Sequence, residues 1–187
     1  GNFEQLPNTE DEIYKISNYF NQDNSQILIG EMANEKIVKE REIDSEYLMF
    51  ATHAVTAKEI SEVNEPAIIL SIVPNSLEDG YLTSTEILNK KFTSDLLILS
   101  ACSTATPDLS GKYFSGLMRS FLYSGSRNLL STLWSIETFS AEELTTNFFA
   151  SNYSQYSERL KESQISLLES EDYSHPFFWS PYIIVGV

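Results

Sequence analysis

The sequence predicts an α/β protein, a three-layer αβα sandwich around a mostly parallel sheet of about six strands. Three observations lead there. Aliphatic runs such as YLMFA at Tyr47 to Ala51 and AIILSIV at Ala67 to Val73 contain almost no polar residue, as expected of strands covered on both faces. Segments with apolar residues at helical spacing lie between those runs. With 187 residues, 42% of them hydrophobic, the chain can bury a sizeable core, and one domain over residues 1–187 is the natural count.

In chain order, Thr9 followed by Glu12 fits a capping box, and Ile13, Ile16, Tyr19 and Phe20 recur at helical spacing, so a first helix is expected from Thr9 to Asn21. Gln26 to Gly30 (QILIG) is a short β-type run, and Asn34 suits the cap of a brief helix through Val38. Strands are expected at Tyr47 to Ala51, Ala67 to Val73, Leu96 to Ala101 and Asn128 to Leu133. Between them, Ser84 to Asn89 and Phe114 to Tyr123 read as helices, and Gly125 stops the second. Helices over Ala141 to Ala150 and Tyr156 to Ser170 precede a last strand at Tyr182 to Val185. No internal repeat, low-complexity tract or linker interrupts this alternation.

Twenty-seven acidic against twelve basic residues leave a formal charge of −15, which repels phosphate backbones and argues against nucleic-acid binding. A basic or neutral partner is easier to accommodate. No apolar run approaches the roughly 18 residues of a membrane span, and no basic segment followed by an apolar one opens the chain, so a soluble protein is expected. A single cysteine cannot close an internal disulfide, for which a reducing cytoplasm is the simplest setting. Two histidines and one cysteine give no zinc spacing, and neither GxxxxGK nor GxGxxG occurs, so no metal or other cofactor is expected.

The chemistry centres on DLLILSACSTA, Asp95 to Ala105. In open parallel sheets, ligands and catalytic groups gather beyond the carboxyl ends of strands, and Cys102 stands at such an end. Burial under a helix explains a small thiol there equally well from position alone. His53 follows YLMFAT as Cys102 follows LLILSA, and neighbouring parallel strands would bring the two side chains within reach. A free thiol near pKa 8.5 is mostly protonated at neutral pH, so a nucleophilic Cys102 needs an imidazole to accept its proton or to protonate the leaving amine. His175, in SHPFFW, reads instead as part of a loop packed against the final strand.

The segments LLILSACSTA, YLMFATHAV, GLMRSFLYSGSRNLLSTLWSIE and HPFFWSPYIIVG resemble, in their order and spacing, the CHAT domain of caspase-like peptidases, and LPNTEDEI is similar to the family's entry into its first helix. Nearly the whole chain is covered, although the domain usually has a few further strands upstream. The resemblance implies a caspase-type fold, shared with separase, and a cysteine–histidine dyad in which His53 matches the motif histidine and Cys102 the nucleophile. It also implies an oxyanion site formed by the backbone N–H groups of Ala54 and Cys102, donors of a kind typically worth about two to four kcal/mol at the transition state.

Two positions depart from the family pattern. Ala54 replaces a common glycine, which forbids glycine-only backbone conformations beside the oxyanion. Glu137 followed by Thr138 stands where a pair of aspartates often lies near the substrate pocket, so only one carboxylate remains to favour a basic residue before the scissile bond. Trp134 is a candidate pocket wall, and Asp95 either faces the underside of the pocket or caps the turn before its strand.

The resulting expectation is a bacterial-type cytoplasmic cysteine endopeptidase. It would cleave a protein or peptide substrate and be one piece of a larger protein, receiving an activating signal from a helical-repeat region or a partner protein. The alternatives are a catalytically silent caspase-like interaction module, favoured by Ala54 and the missing carboxylate, and a small-molecule binder of flavodoxin-like organisation, favoured only by the alternating pattern.

Overall fold

The computed structural model describes residues 9–57, 59–61, 63–100 and 114–186. In order, the elements are α1 (Thr9–Ser17), α2 (Glu35–Glu40), β1 (Ile43–Ala51), β2 (Ala54–Val55), β3 (Ala67–Ile69), β4 (Tyr81–Thr83), α3 (Ser84–Leu88), β5 (Phe92–Ser100), α4 (Phe114–Ser124), β6 (Ser126–Thr132), α5 (Thr138–Ala150), α6 (Tyr156–Glu169), α7 (Pro176–Trp179) and β7 (Tyr182–Gly186). They group into two compact units, one built on Leu28–Ser135 with Val185 and Gly186, the other on α1 and Ile136–Ile184.

The principal sheet has the order β1-β5-β6-β7, and β5 runs parallel to both β1 and β6. This is the mostly parallel sheet expected of an α/β chain. A separate antiparallel sheet has the order β2-β3-β4. The run Ala67 to Val73 supplies the central strand of this smaller sheet, shortened to Ala67–Ile69, and does not join the parallel one. QILIG forms no strand. Ile27 is substantially exposed, Gly30 takes a φ of +56° at the start of a short 3₁₀ turn, and the Ser71 hydroxyl donates to the Gly30 carbonyl at 2.7 Å.

Strand β5 explains why the parallel sheet holds. Pairing on both edges removes its backbone groups from water, and Leu96, Leu97, Ile98 and Leu99 are all fully buried. Beneath it, Phe50 of β1, Phe92 of β5 and Phe121 of α4 form a cluster with ring centroids 5.2 to 6.3 Å apart. Helix α4 ends at Gly125, whose φ of +125° takes the chain straight into β6. Outside the core, β1 alternates exposed Asp44 and Glu46 with half-covered neighbours.

The second unit packs α1, α5 and α6 around Ile16, Leu144, Phe148, Leu160 and Leu167. Helix α1 is described over Thr9–Ser17 and ends before the expected Asn21; the residues before Thr9 lie outside the described ones. Glu12 is drawn inward, 1% exposed, where its Oε1 accepts the Thr145 hydroxyl at 2.8 Å.

Helix α2 leads directly into β1 and is fastened at both ends. Asn34 caps it as expected, accepting the Ile37 N–H at 2.9 Å, and the Lys90 ammonium donates to the Lys39 carbonyl at 3.0 Å. On its inner face Lys39 pairs with Glu35, one turn earlier, and lies 2.5 Å from Glu78 and 2.6 Å from Glu86. The Glu35 carboxylate, its side chain 1% exposed, also accepts the Gly80 N–H at 2.9 Å. Three carboxylates thus share one ammonium. The surplus of negative charge in a buried place favours a bound proton, and burial pushes the Glu35 carboxyl up to about 7 against the opposing pull of Lys39 and the Gly80 N–H. Lys39 is held above its ordinary value by hydrogen bonds to the carboxylates, which outweigh its own desolvation.

Two measurements check this packing. Phe121→Ala is expected to cost about 4 kcal/mol in urea unfolding, whereas Leu77→Ala, at a fully exposed side chain, changes stability by less than about 0.5 kcal/mol. Between the ordinary carboxyl value of 4.5 and about 7, the folded chain holds a proton on Glu35 that the unfolded chain has released. The contribution of Glu35 is therefore complete below 4.5 and is lost as pH rises through about 7. Stability should fall across that window more steeply in the unaltered chain than in Glu35→Gln, and superimposable pH profiles would refute the assignment.

Candidate active site

The site is set by how β1 and β5 end. Their register keeps one offset from Ile43 against Phe92 to Ala51 against Ser100, and the Thr52 N–H donates to the Ser100 carbonyl at 3.2 Å. On the other side of β5, Leu130 faces Ile98, which places Thr132, the last residue of β6, level with Ser100. His53 and Trp134 therefore each stand two residues beyond this common level, one on either side of β5. His53 is 8% exposed and Trp134 40% exposed. Cys102, as nucleophile and as oxyanion donor, lies outside the described residues, as do Ser103 and Thr104.

His53 is held through its backbone. Its carbonyl accepts the Ile69 N–H at 2.9 Å, and the Thr52 hydroxyl donates to the Ile69 carbonyl at 2.6 Å. Sequence reasoning passed over Thr52, a hydroxyl next to the histidine whose partner depends on the smaller sheet. Because His53 and Ile69 form a hydrogen-bonded position of the β2–β3 ladder, the following pair, Ala54 with Ile68, is a non-hydrogen-bonded one. The alternation turns the Ala54 N–H away from β3. Ala54 lies in a strand, and Asn75 is the one non-glycine residue with positive φ among the described residues, so alanine meets no conformational penalty at position 54.

The other expected site residues are occupied elsewhere. Strand β5 begins at Phe92, so Asp95 is its fourth residue rather than its opening one and caps no turn. Its carboxylate pairs with the Arg127 guanidinium at 2.6 Å, and it lies about 16 Å from the carboxyl end of the strand at roughly 3.3 Å per residue. Glu137 is the N-cap of α5, where its two carboxylate oxygens accept the N–H groups of Phe139 and Ser140, each at 2.9 Å. His175 caps α7, its Nδ1 accepting the Phe177 N–H at 3.2 Å. The structure thus brings His53 and Trp134 to the carboxyl edge of the sheet and leaves Asp95 away from it.

Glu35, Glu78 and Glu86 offer oxygens within 4.8 Å of one another, a set able to hold a cation. The Lys39 ammonium supplies that positive charge. The Glu35–Lys39 spacing on a capped helix was visible in the sequence, whereas their tertiary partners were not. No helix among the described residues is long and apolar enough to cross a membrane.

Comparison with known proteins gives two findings. The curated tetratricopeptide repeat protein 28 of Mus musculus is 22% identical over 212 aligned residues, and that of Homo sapiens is 23% identical over the same span; each match takes in 97% of this chain. The chain spans only 8% of the length of these relatives. The sequence model of the CHAT domain matches residues 1–187. With a caspase-like α/β arrangement of strands and a match running from end to end, the chain belongs to the CHAT domain family.

Proposed function

We propose that this chain is a cysteine endopeptidase domain that cleaves a protein substrate through a His53–Cys102 dyad. The observation that carries the reading is the parallel register of Ala51 with Ser100: His53 follows the first residue by two positions and Cys102 follows the second by two, on strands that lie about 4.8 Å apart. In the proposed reaction His53 takes the Cys102 proton and the thiolate attacks the scissile carbonyl carbon. The resulting oxyanion is held by the N–H groups of Ala54 and Cys102; the outward turn of the Ala54 N–H supports that role. Collapse breaks the C–N bond as the imidazolium protonates the leaving amine. Water, deprotonated by His53, then hydrolyses the thioester and restores the thiol.

Trp134, exposed at the same level on the β6 side, forms a wall of the substrate pocket. Asp95 is paired with Arg127 and takes no part. The capping role of Glu137 leaves its carboxylate committed to α5, which argues against a strong preference for a basic residue at the cleavage site. The chain acts as one domain of a longer protein, and the named tetratricopeptide repeats of its relatives support regulation by a helical-repeat region.

A second reading, an interaction module without chemistry, is favoured by the 8% exposure of His53, since a proton-transferring imidazole must reach its substrate. An irreversible thiol-reactive peptidyl probe separates the two. The peptidase reading expects labelling at Cys102 that is abolished by Cys102→Ala and slowed about a hundredfold or more by His53→Ala, with folding unchanged by circular dichroism. No labelling of the full-length protein with its regulatory region present, or equal labelling with and without His53, supports the module and ends the peptidase reading.

A further inference from the structure

The Lys39-centred cluster lies outside the candidate site, yet a continuous series of hydrogen bonds leads from it to His53. The Glu35 Oε2 accepts the Gly80 N–H at 2.9 Å, and the Gly80 carbonyl accepts the Leu70 N–H at 2.8 Å. Leu70 follows Ile69, whose N–H donates to the His53 carbonyl at 2.9 Å and whose own carbonyl accepts the Thr52 hydroxyl at 2.6 Å. Every bond in the series involves backbone on at least one side, and Glu35 contributes the one ionisable side chain that bonds in it.

The cluster also brackets β4. Gly80 precedes the strand, and Glu86, which closes a capping box with Thr83, follows it. Lys39 is bonded to Glu86 at 2.6 Å and to Glu78 at 2.5 Å, and it pairs with Glu35, so one ammonium gathers both ends of β4 onto α2. With Glu35 buried and Lys39, Glu78 and Glu86 partly exposed, the cluster contributes little net stability once desolvation and solvent screening are counted, and a role in fixing geometry accounts for it better. Gly80 is suited to the junction: its φ is +86°, and a Cβ there would fall 2.7 Å from Ile72 Cγ1 and 3.1 Å from the Leu70 carbonyl oxygen.

We infer that Glu35 is a positioning residue for His53: with Lys39 it clamps Gly80 and β4, and through the β4–β3 ladder fixes the backbone on which His53 and Ala54 are carried. The mechanistic weight of this inference rests on the dyad reading above, whereas the positional claim does not. The groups facing Glu35 are the Lys39 ammonium from its own helix, the Gly80 N–H and Glu78 from the segment before β4, and Glu86 from α3.

Amide hydrogen exchange and ¹⁵N–¹H NMR on the full 187-residue chain test it. Glu35→Ala is expected to speed exchange at Gly80, Leu70 and Ile69 by about tenfold or more while Leu97 and Leu129 of the parallel sheet keep their protection. Glu35→Gln, which retains an oxygen for the Gly80 N–H, should restore the slow exchange. Unchanged exchange at Ile69, a uniform rise that includes Leu97 and Leu129, or a glutamine variant indistinguishable from alanine would each overturn the inference. Should Glu35→Ala fail to fold, the unaltered chain decides: the Gly80 and Ile69 amide signals should shift together in one pH step, and a step at Gly80 that leaves Ile69 unmoved overturns it. Labelling of Cys102 by the peptidyl probe is scored separately, so loss of the dyad reading and loss of the clamp give different results.

Discussion

The parallel pairing of β1 with β5 is the constraint on which the rest depends. A parallel ladder has evenly spaced, slanted bonds and needs a long crossover, so its strands start and stop at levels set by what connects them. Here the crossover between β1 and β5 contains the whole antiparallel β2-β3-β4 sheet together with α3. A slip of one residue would exchange the faces of β1 and carry Phe50 away from Phe92 and Phe121. The aromatic packing that holds the register therefore also decides which residue leaves the sheet next to Ser100, and the candidate site inherits its alignment from the hydrophobic core.

The smaller sheet gives the site a second support. His53 emerges from a parallel strand and is immediately held by an antiparallel one, with the Thr52 hydroxyl donating to the carbonyl of the same Ile69 whose N–H donates to the His53 carbonyl. Two ladders of different geometry meet at residues 52 to 54. Such a junction is stiff because movement along either strand breaks bonds in the other, and a stiff backbone suits the donor role proposed for Ala54.

Much of this was legible in the sequence where one local cause dominates. The aliphatic runs at Tyr47 to Ala51, Leu96 to Ala101 and Asn128 to Leu133 became β1, β5 and β6, and Asn34 and Gly125 act at the helix boundaries assigned to them. His53 stands just beyond the end of β1, where the apolar run that precedes it in the sequence puts it. Where tertiary partners compete with local preference, the reading went astray. Glu12 also accepts a bond from Thr145, a partner that spacing does not mark, and QILIG has strand composition but pairs with no strand among the described residues. Ala67 to Val73 was recognised as strand-forming, yet composition does not reveal which sheet a strand joins. Asp95 was misplaced because the strand begins at Phe92, ahead of the apolar run. The carboxylates around Lys39 come from positions 35, 78 and 86, a separation that no periodicity marks.

Gly80 has a consequence for how the molecule tolerates change. A Cβ at this position would stand 2.7 Å from Ile72 Cγ1 and 3.1 Å from the Leu70 carbonyl oxygen, beside the bond that joins Leu70 to Gly80. The residue carries no functional group, yet its φ of +86° is one that side chains rarely adopt, so a substitution there is strained. Substitution at Gly80 is therefore costly for conformational reasons alone, and a mutational map of the protein would record that cost at a residue without a functional group.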